Sequence, residues 1–180
     1  MTKKYELVLD DTISFWGWKL FRIRALISFG SVEVGDLGGY IQKEENLSHD
    51  DNAWVSGNAK VWGDAEVWGD AEVSGNAKVW GNAKVWGNAW VSGNAKVWGD
   101  AEVSGNAKVS ELGDIIVFKN HWSSGRHFTY TKSNKMWKVG CFHGTGQELI
   151  EKAYRDSEKS GNHYKAYVDF VESLEKLDDQ

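Results

Sequence analysis

The chain has 180 residues and a formal net charge of −5 at pH 7, and its single cysteine, Cys141, excludes an internal disulfide framework. Acidic and basic residues are spread along the whole chain, which excludes a basic nucleic-acid-binding tail, and no apolar run reaches membrane-spanning length. The segment Met1–Asp11 lacks the apolar stretch of a signal peptide, so we expect a cytoplasmic protein.

Residues 1–45 are predicted to form β-strands. Tyr5–Leu9 and Lys19–Phe29 are rich in strand-favouring residues, and glycines such as Gly30 and Gly35 separate them. The repeat array that follows would expose unpaired backbone groups at its first unit. We therefore predict that residues 1–45 form an N-terminal β cap.

Residues 46–111 are dominated by a repeat with a period of six residues. The copies from Asn52 read NAWVSG, NAKVWG, DAEVWG, DAEVSG, NAKVWG, NAKVWG, NAWVSG, NAKVWG, DAEVSG and NAKVS. Within each copy, Ala and Val are two residues apart and so face one side of a strand, while Gly with Asn or Asp suits a corner. Three such sides predict a coil of about 18 residues with rungs about 4.8 Å apart. Asn46–Asp51 fits this frame loosely, with Leu47 at the Ala position and His49 at the Val position.

Placing every third copy in one column gathers mostly like residues, which supports three sides per coil. What we call the first face collects Ser56, Ser74, Ser92 and Ser110, with Trp54, Glu72, Trp90 and Lys108 after the alanines. The second face collects Trp62, Trp80 and Trp98 with Lys60, Lys78 and Lys96, and the third face collects Trp68, Trp86 and Ser104 with Glu66, Lys84 and Glu102. Recent duplication of an 18-residue unit would produce the same columns, and the sequence leaves both explanations open.

Residues 112–180 are predicted to form an α+β module. Its strand signals are Asp114–Trp122, followed by a hairpin of Arg126–Thr131 and Met136–Phe142 across Ser133-Asn134.

Two helices should follow this hairpin. Thr145 and Glu148 make a capping box, and the first apolar stripe ends near Gly161. Asn162 is the predicted cap of the second helix, whose stripe includes Tyr164, Tyr167, Val168, Val171 and Leu174. The hairpin or a Trp column would supply the apolar surface that these helices cover.

The hexads resemble those of the left-handed β-helix in hexapeptide-repeat proteins, a family that contains acyltransferases and non-enzymatic relatives. Gly35–Val55 is similar to the opening segment of phage and prophage members, and Asp114–Leu174 resembles their C-terminal module. The resemblance implies a mainly β fold: a left-handed parallel β-helix with an N-terminal β cap and a C-terminal β-hairpin plus two α-helices. It also implies a phage protein of the host cytoplasm, with an anti-CRISPR activity that stops a Cas9–guide RNA complex from binding or cleaving DNA.

An enzymatic function has weaker support in the sequence than a binding function. A hexapeptide acyltransferase uses a His as general base, yet the ten regular copies contain none and no extended acceptor loop interrupts them. We therefore predict a binding protein without catalysis or cofactor, with an acyltransferase, a sponge for signalling nucleotides and a self-assembling structural protein as alternatives. A zinc set of His121, His127, Cys141 and His143 is a further alternative, but these spacings are not compact, and we expect His127 partly exposed and Cys141 buried.

Two surfaces are candidates for binding a host protein or ribonucleoprotein, including contact with nucleic acid. The second face offers Lys60, Trp62, Lys78, Trp80, Lys96 and Trp98, because cations beside indoles suit bases, phosphates or a protein anchor. The segment Lys119–Lys138 adds Arg126, Lys135 and Trp137 in a basic, aromatic stretch without acids. The alternative is that the lysines pack along the indoles as an internal ladder. Homo-oligomer formation through Trp68 and Trp86 is also expected.

Overall fold

In the computed structural model, which describes residues 2–180, the hexads fold into a parallel β-solenoid of about four turns. The strands are β1 (Tyr5–Phe15), β2 (Trp18–Ala25), β3 (Leu37–Ile41), β4 (Trp54–Val55), β5 (Lys60–Val61), β6 (Glu66–Val67), β7 (Glu72–Val73), β8 (Lys78–Val79), β9 (Lys84–Val85), β10 (Trp90–Val91), β11 (Lys96–Val97), β12 (Glu102–Val103), β13 (Lys108–Val109), β14 (Ile115–Lys119), β15 (His127–Thr131), β16 (Met136–Val139) and β17 (Phe142–Thr145). Two helices follow: α1 (Gly146–Asp156) and α2 (Glu158–Asp178).

The three faces predicted from the columns are the three sheets of the solenoid. The first face is β4, β7, β10 and β13; the second is β3, β5, β8 and β11; the third is β6, β9 and β12. Paired residues in the regular coils are 18 apart, as in Lys60–Lys78–Lys96. The Ala and Val of every regular copy are at most 1% exposed. The predicted 18-residue coil with inward Ala and Val is thus confirmed.

The corner glycines adopt positive φ and stack directly on one another. Gly81 has φ +70°, and a Cβ added to it would lie 2.9 Å from the backbone nitrogen of Gly99 in the next coil. Both the conformation and the close approach favour glycine at this position of the hexad.

The first coil departs from the predicted register. Leu47 pairs with Val67 and so takes the Val position, not the Ala position, and His49 lies outside the strand frame. This offset is 20 residues, whereas Trp54 pairs with Glu72 at the regular offset of 18, so the corner between them carries two additional residues. The buried Lys4 ammonium holds that corner by donating to the carbonyl of Ala53 at 2.7 Å.

The N-terminal segment extends the second face. β1 and β2 form an antiparallel hairpin, β2 pairs antiparallel with β3, and β3 pairs parallel with β5. Part of the segment predicted as a cap, β3, therefore supplies the first side of the solenoid. Because β3 adds this side, the solenoid has about four turns.

The C-terminal module caps part of the last coil with side-chain acceptors. The backbone N–H of Glu102 donates to Thr129 Oγ1 at 3.0 Å, and that of Lys108 donates to Ser133 Oγ at 2.8 Å. The N–H of Ser110 donates to an Asp114 carboxylate oxygen at 2.8 Å.

Strands β14–β17 form a four-stranded antiparallel meander. The hairpin of β15 and β16 matches the prediction. The prediction of one strand over Met136–Phe142 is wrong, because the chain turns at Gly140, which has φ +54°, and Val139 pairs with Phe142. Cys141 lies in this turn and is exposed, so the prediction that it is buried is also wrong.

The helices cover the C-terminal sheet. The Thr145–Glu148 capping box is present, and Tyr164, Val168 and Val171 are buried in a cluster with residues of the sheet and of α1. The predicted break at Gly161-Asn162 is wrong: α1 ends before Ser157, whose hydroxyl caps α2 by accepting from Ser160 N–H at 3.0 Å. Within residues 2–180 there is no helix long and apolar enough to cross a membrane.

Candidate partner-binding surface

The tryptophans of the second face form one stacked column. The ring centroids of Trp62 and Trp80 are 5.1 Å apart with planes 2° from parallel, and those of Trp80 and Trp98 are 5.3 Å apart at 10°. The third face holds a shorter stack, Trp68 on Trp86, at 4.9 Å and 0°. The prediction that Trp62, Trp80 and Trp98 lie on one face, one rung apart, is confirmed.

The N-terminal hairpin covers the base of this column. Phe15 and Trp16 at its tip meet Trp62 edge-on, with centroid distances of 5.3 Å and 5.8 Å, and Trp16 also reaches Trp80 at 5.7 Å. Exposure therefore rises along the column, from 2% at Trp62 to 45% at Trp98. The cover is the hairpin and not the C-terminal helices, because those helices are packed on their own sheet.

The lysine column changes in the same direction. The ammonium groups of Lys60 and Lys78 each lie 5.3 Å from the centroid of the Phe15 ring. Burial lowers the pKa of Lys60, and the charge of Lys78 lowers it further. Lys96 is exposed and makes no such contact within residues 2–180. Of the six residues predicted on this face, Lys96 and Trp98 are the pair most accessible to a partner.

The structure separates the three residues predicted from the basic hairpin. Trp137 is 2% exposed and belongs to the core of the C-terminal module. Lys135 lies 3.7 Å from a Glu175 carboxylate, and Arg126 is exposed near the solenoid. These residues therefore form no joint patch, and Arg126 belongs with the solenoid's end instead.

A groove of about 480 Å³ adjoins the exposed end of the Trp column. Its walls are Trp98, Gly99, Asp100, Leu112, Ile115, Ile116, Val117 and His127. Leu112 and Val117 are 55% and 37% exposed, so the groove presents apolar surface to solvent. Neither residue was predicted to belong to a binding surface. Counting the hexads could have pointed to this region, because residue 116 falls one coil beyond Trp98, where the chain leaves the solenoid.

A charged cleft of about 630 Å³ lies on the other side of Asp100, between the third face and the C-terminal sheet. Its lining is Asp64, Glu66, Asn82, Lys84, Asp100, Glu102, Arg126, His127 and Gly140. His127 Nδ1 lies 2.8 Å from an Asp100 carboxylate oxygen, and this pair lines both the cleft and the groove. The two concavities therefore meet at Asp100 and His127: the groove is apolar, and the cleft, of mixed charge, runs along the third face.

The histidine nearest the repeats, His49, is held by structural contacts, and the four C-terminal candidates for a zinc site lie apart. His49 accepts a hydrogen bond from the Lys4 backbone N–H at 3.2 Å and stacks on Tyr5 with ring centroids 4.2 Å apart. Burial lowers the pKa of His143, and the charge of Lys138 adds to the shift. Residues 2–180 contain no group of three or more His, Cys, Asp or Glu side chains placed to hold a metal ion, so His121, His127, Cys141 and His143 are not gathered into a ligand set.

Comparison with known protein families gives no matching family, and comparison with curated proteins gives no match either. The fold and the surface together define a class: a parallel β-solenoid protein with a partly capped end that bears an apolar groove and a charged cleft.

Proposed function

We propose that this protein is a non-enzymatic binding protein whose partner docks on the groove beside Trp98 and on the adjoining charged cleft. The observation that carries the proposal is the exposed end of the Trp column. Trp98 is 45% exposed, Lys96 stands next to it in the column, and exposed Leu112 and Val117 extend the apolar area. A Trp beside a cation and an apolar wall is typical of an anchor point in a protein interface.

The partner in this proposal is a host macromolecular complex. Its support is the resemblance of Gly35–Val55 and Asp114–Leu174 to segments of phage-borne hexapeptide-repeat proteins. A host defence complex is then the class of target, and a Cas9–guide RNA complex, stopped from binding or cleaving DNA, is the specific target that we would test first. The exposed cations Lys96, beside Trp98, and Arg126, in the cleft, would suit the acidic groups of such a complex.

Two contacts of His49 argue against this histidine as the general base of an acyl transfer. Within residues 2–180, His49 is the histidine closest to the repeats in sequence, and its ring is held by Tyr5 and the Lys4 backbone at the N-terminal corner. A general base must reach the acceptor hydroxyl, but the other ring nitrogen of His49, Nε2, is buried and lies 3.5 Å from a Glu44 carboxylate oxygen. Acetyl-CoA turnover that either His49→Ala or His127→Ala abolishes would refute a non-enzymatic role, because His127 pairs with Asp100 in the charged cleft.

The test compares two matched double variants in capture from bacterial extract and in inhibition of DNA cleavage by purified Cas9–guide RNA. The first is Lys96→Glu/Trp98→Ser, and its control is Lys108→Glu/Trp90→Ser on the first face, where Trp90 is 44% exposed. Both remove one half-exposed indole and reverse one charge. We expect the first variant to lose the partner and the control to keep it. Equal behaviour of the two variants would refute this docking surface, whichever host complex is captured.

A further inference from the structure

The second face ends in an open strand edge. In the regular coils, the N–H groups of Lys78, Trp80 and Asn82 donate to carbonyls of the following coil at 3.0, 3.0 and 2.8 Å. The equivalent donors one coil later belong to Lys96, Trp98 and Asp100, and no acceptor for them lies within residues 2–180. Three N–H groups at alternate positions of a strand therefore point towards the place of a missing rung.

The groove occupies the place of that rung. A Cβ on Gly81 would collide with Gly99 in the next coil, whereas a Cβ on Gly99 would meet nothing within 4 Å. By count, residues 114 and 116 would lie over Lys96 and Trp98 if the solenoid continued. Instead, the Asp114 carboxylate accepts from the N–H groups of Ser110 and Glu111, and β14 joins the C-terminal sheet.

The opposite wall of the groove is also an open edge. The N–H of Lys132 donates to the Asp114 carbonyl and that of Asn120 donates to the Arg126 carbonyl, both at 2.9 Å, which fixes the pattern of the β14–β15 ladder. In an antiparallel ladder with these bonds, the backbone groups of Ile115 and Val117 point away from β15. Residues 2–180 provide no further strand on that side.

The side chains around the edge select the occupant. In the parallel register of this face, one residue of an added strand lies beside Lys96 and the residue two positions later lies over Trp98, because Lys78 and Trp80 are arranged in this way one coil earlier. A third like charge beside Lys78 and Lys96 would be unfavourable, so an acidic residue fits the first position. An aromatic residue fits the second position because it continues the stack.

We infer that this groove binds an extended peptide segment of a partner protein that carries an acidic residue two positions before an aromatic one and adds as the next parallel strand beside β11. The inference rests on the proposed function, since it names the segment that the same groove would accept. Strand addition of this kind gains affinity from backbone hydrogen bonds and specificity from alternate side chains.

The experiment uses a matched pair of fluorescein-labelled octapeptides and the full-length protein. One peptide is the chain's own residues 81–88, GNAKVWGN, and the other is the same peptide with Lys84→Glu. Fluorescence anisotropy should show that the parent protein binds the Lys84→Glu peptide at least about fivefold more tightly. The protein variant Lys96→Glu should reverse the preference, Trp98→Ser should weaken binding of both peptides at least about tenfold, and the first-face variant Trp90→Ser should bind like the parent.

The charge reversal separates recognition from damage to the fold, because a misfolded Lys96→Glu protein would lose both peptides instead of exchanging them. Binding of neither peptide, or an unchanged preference in Lys96→Glu, would overturn the inference. So would a parent that sediments as a dimer which Trp98→Ser dissociates, because the occupant would then be a second copy. Loss of partner capture by Lys96→Glu/Trp98→Ser without peptide binding would refute strand addition alone, whereas retained capture by that variant would refute the proposed function.

Discussion

Truncating the Trp column at its two ends should have very different effects on stability. Trp62 is 2% exposed, stacks on Trp80 and meets Phe15 and Trp16 edge-on, so Trp62→Ala creates a cavity within an aromatic cluster. Such truncations cost about 3–5 kcal/mol. Trp98 keeps one stacking partner and is 45% exposed, so Trp98→Ala should cost roughly 1–2 kcal/mol.

Urea denaturation followed by circular dichroism near 218 nm measures this difference, because the signal reports strands and does not depend on the indoles removed. A difference of about 2 kcal/mol corresponds to a midpoint lower by roughly 1 M urea for Trp62→Ala than for Trp98→Ala. The reasoning fails if both variants lose the same stability, since the hairpin would then not cover the base of the column. Unchanged slopes of the unfolding curves would show that both variants unfold from the same compact state.

Two further predictions concern the N-terminal segment. Gly38→Ala should destabilise the protein by at least about 2 kcal/mol, because the added Cβ would lie 2.5 Å from the Val55 carbonyl oxygen and from the Ile23 side chain. The control is Gly113→Ala, whose added Cβ would meet no atom within 4 Å, and it should be close to neutral in the same urea assay. Burial lowers the pKa of Lys4 from 10.5 to about 8, and the charges of Asp51 and Asp50 oppose the shift. Above pH 8 the unfolded chain therefore binds more protons than the folded protein. The free energy of unfolding should rise by about 2 kcal/mol between about pH 7 and pH 9.5. Lys4→Met should lack that rise, and a parent protein whose stability is flat over this pH range would contradict the prediction. Above pH 10 the trend reverses, because burial raises the pKa of Tyr5, so Tyr5 ionises in the unfolded chain at a lower pH than in the folded protein.

The regular coils could be predicted because one short repeat determines both packing and corners. Ala and Val at alternate positions fill the interior, Gly makes the close corner contact, and a period of 18 residues aligns the columns. The left-handed sense stays a prediction from the resemblance. The Thr145–Glu148 capping box was equally readable, because its bonds join residues only three positions apart.

The features that sequence reasoning missed depend on contacts between distant residues. The register of Leu47 is set by a corner that Lys4 holds from 49 residues upstream of Ala53, in a segment without a hexad to align. Cover of Trp62 by Phe15 and Trp16 follows from the pairing of β2 with β3. The periodicity of a sequence does not predict such long-range packing.

The limits of the two helices differ from the prediction where local sequence signals competed. Gly161 suggested a helix end, but it is buried inside α2 because Tyr154 of α1 packs so closely that an added Cβ would lie 2.2 Å from its ring. This glycine therefore permits helix–helix contact. Ser157, four residues earlier, is the cap that divides the two helices.

Amide hydrogen exchange measured residue by residue by NMR tests most directly whether the C-terminal end of the second face is an open edge that a partner strand completes. In the protein alone, the amides of Lys78, Trp80 and Asn82 should be protected and those of Lys96, Trp98 and Asp100 should exchange rapidly, because only the first set has acceptors. Addition of the Lys84→Glu octapeptide should protect the second set and leave the first unchanged. Slow exchange at Lys96, Trp98 and Asp100 before the peptide is added, or no change at these amides when it is bound, would contradict an open strand edge at this end of the solenoid.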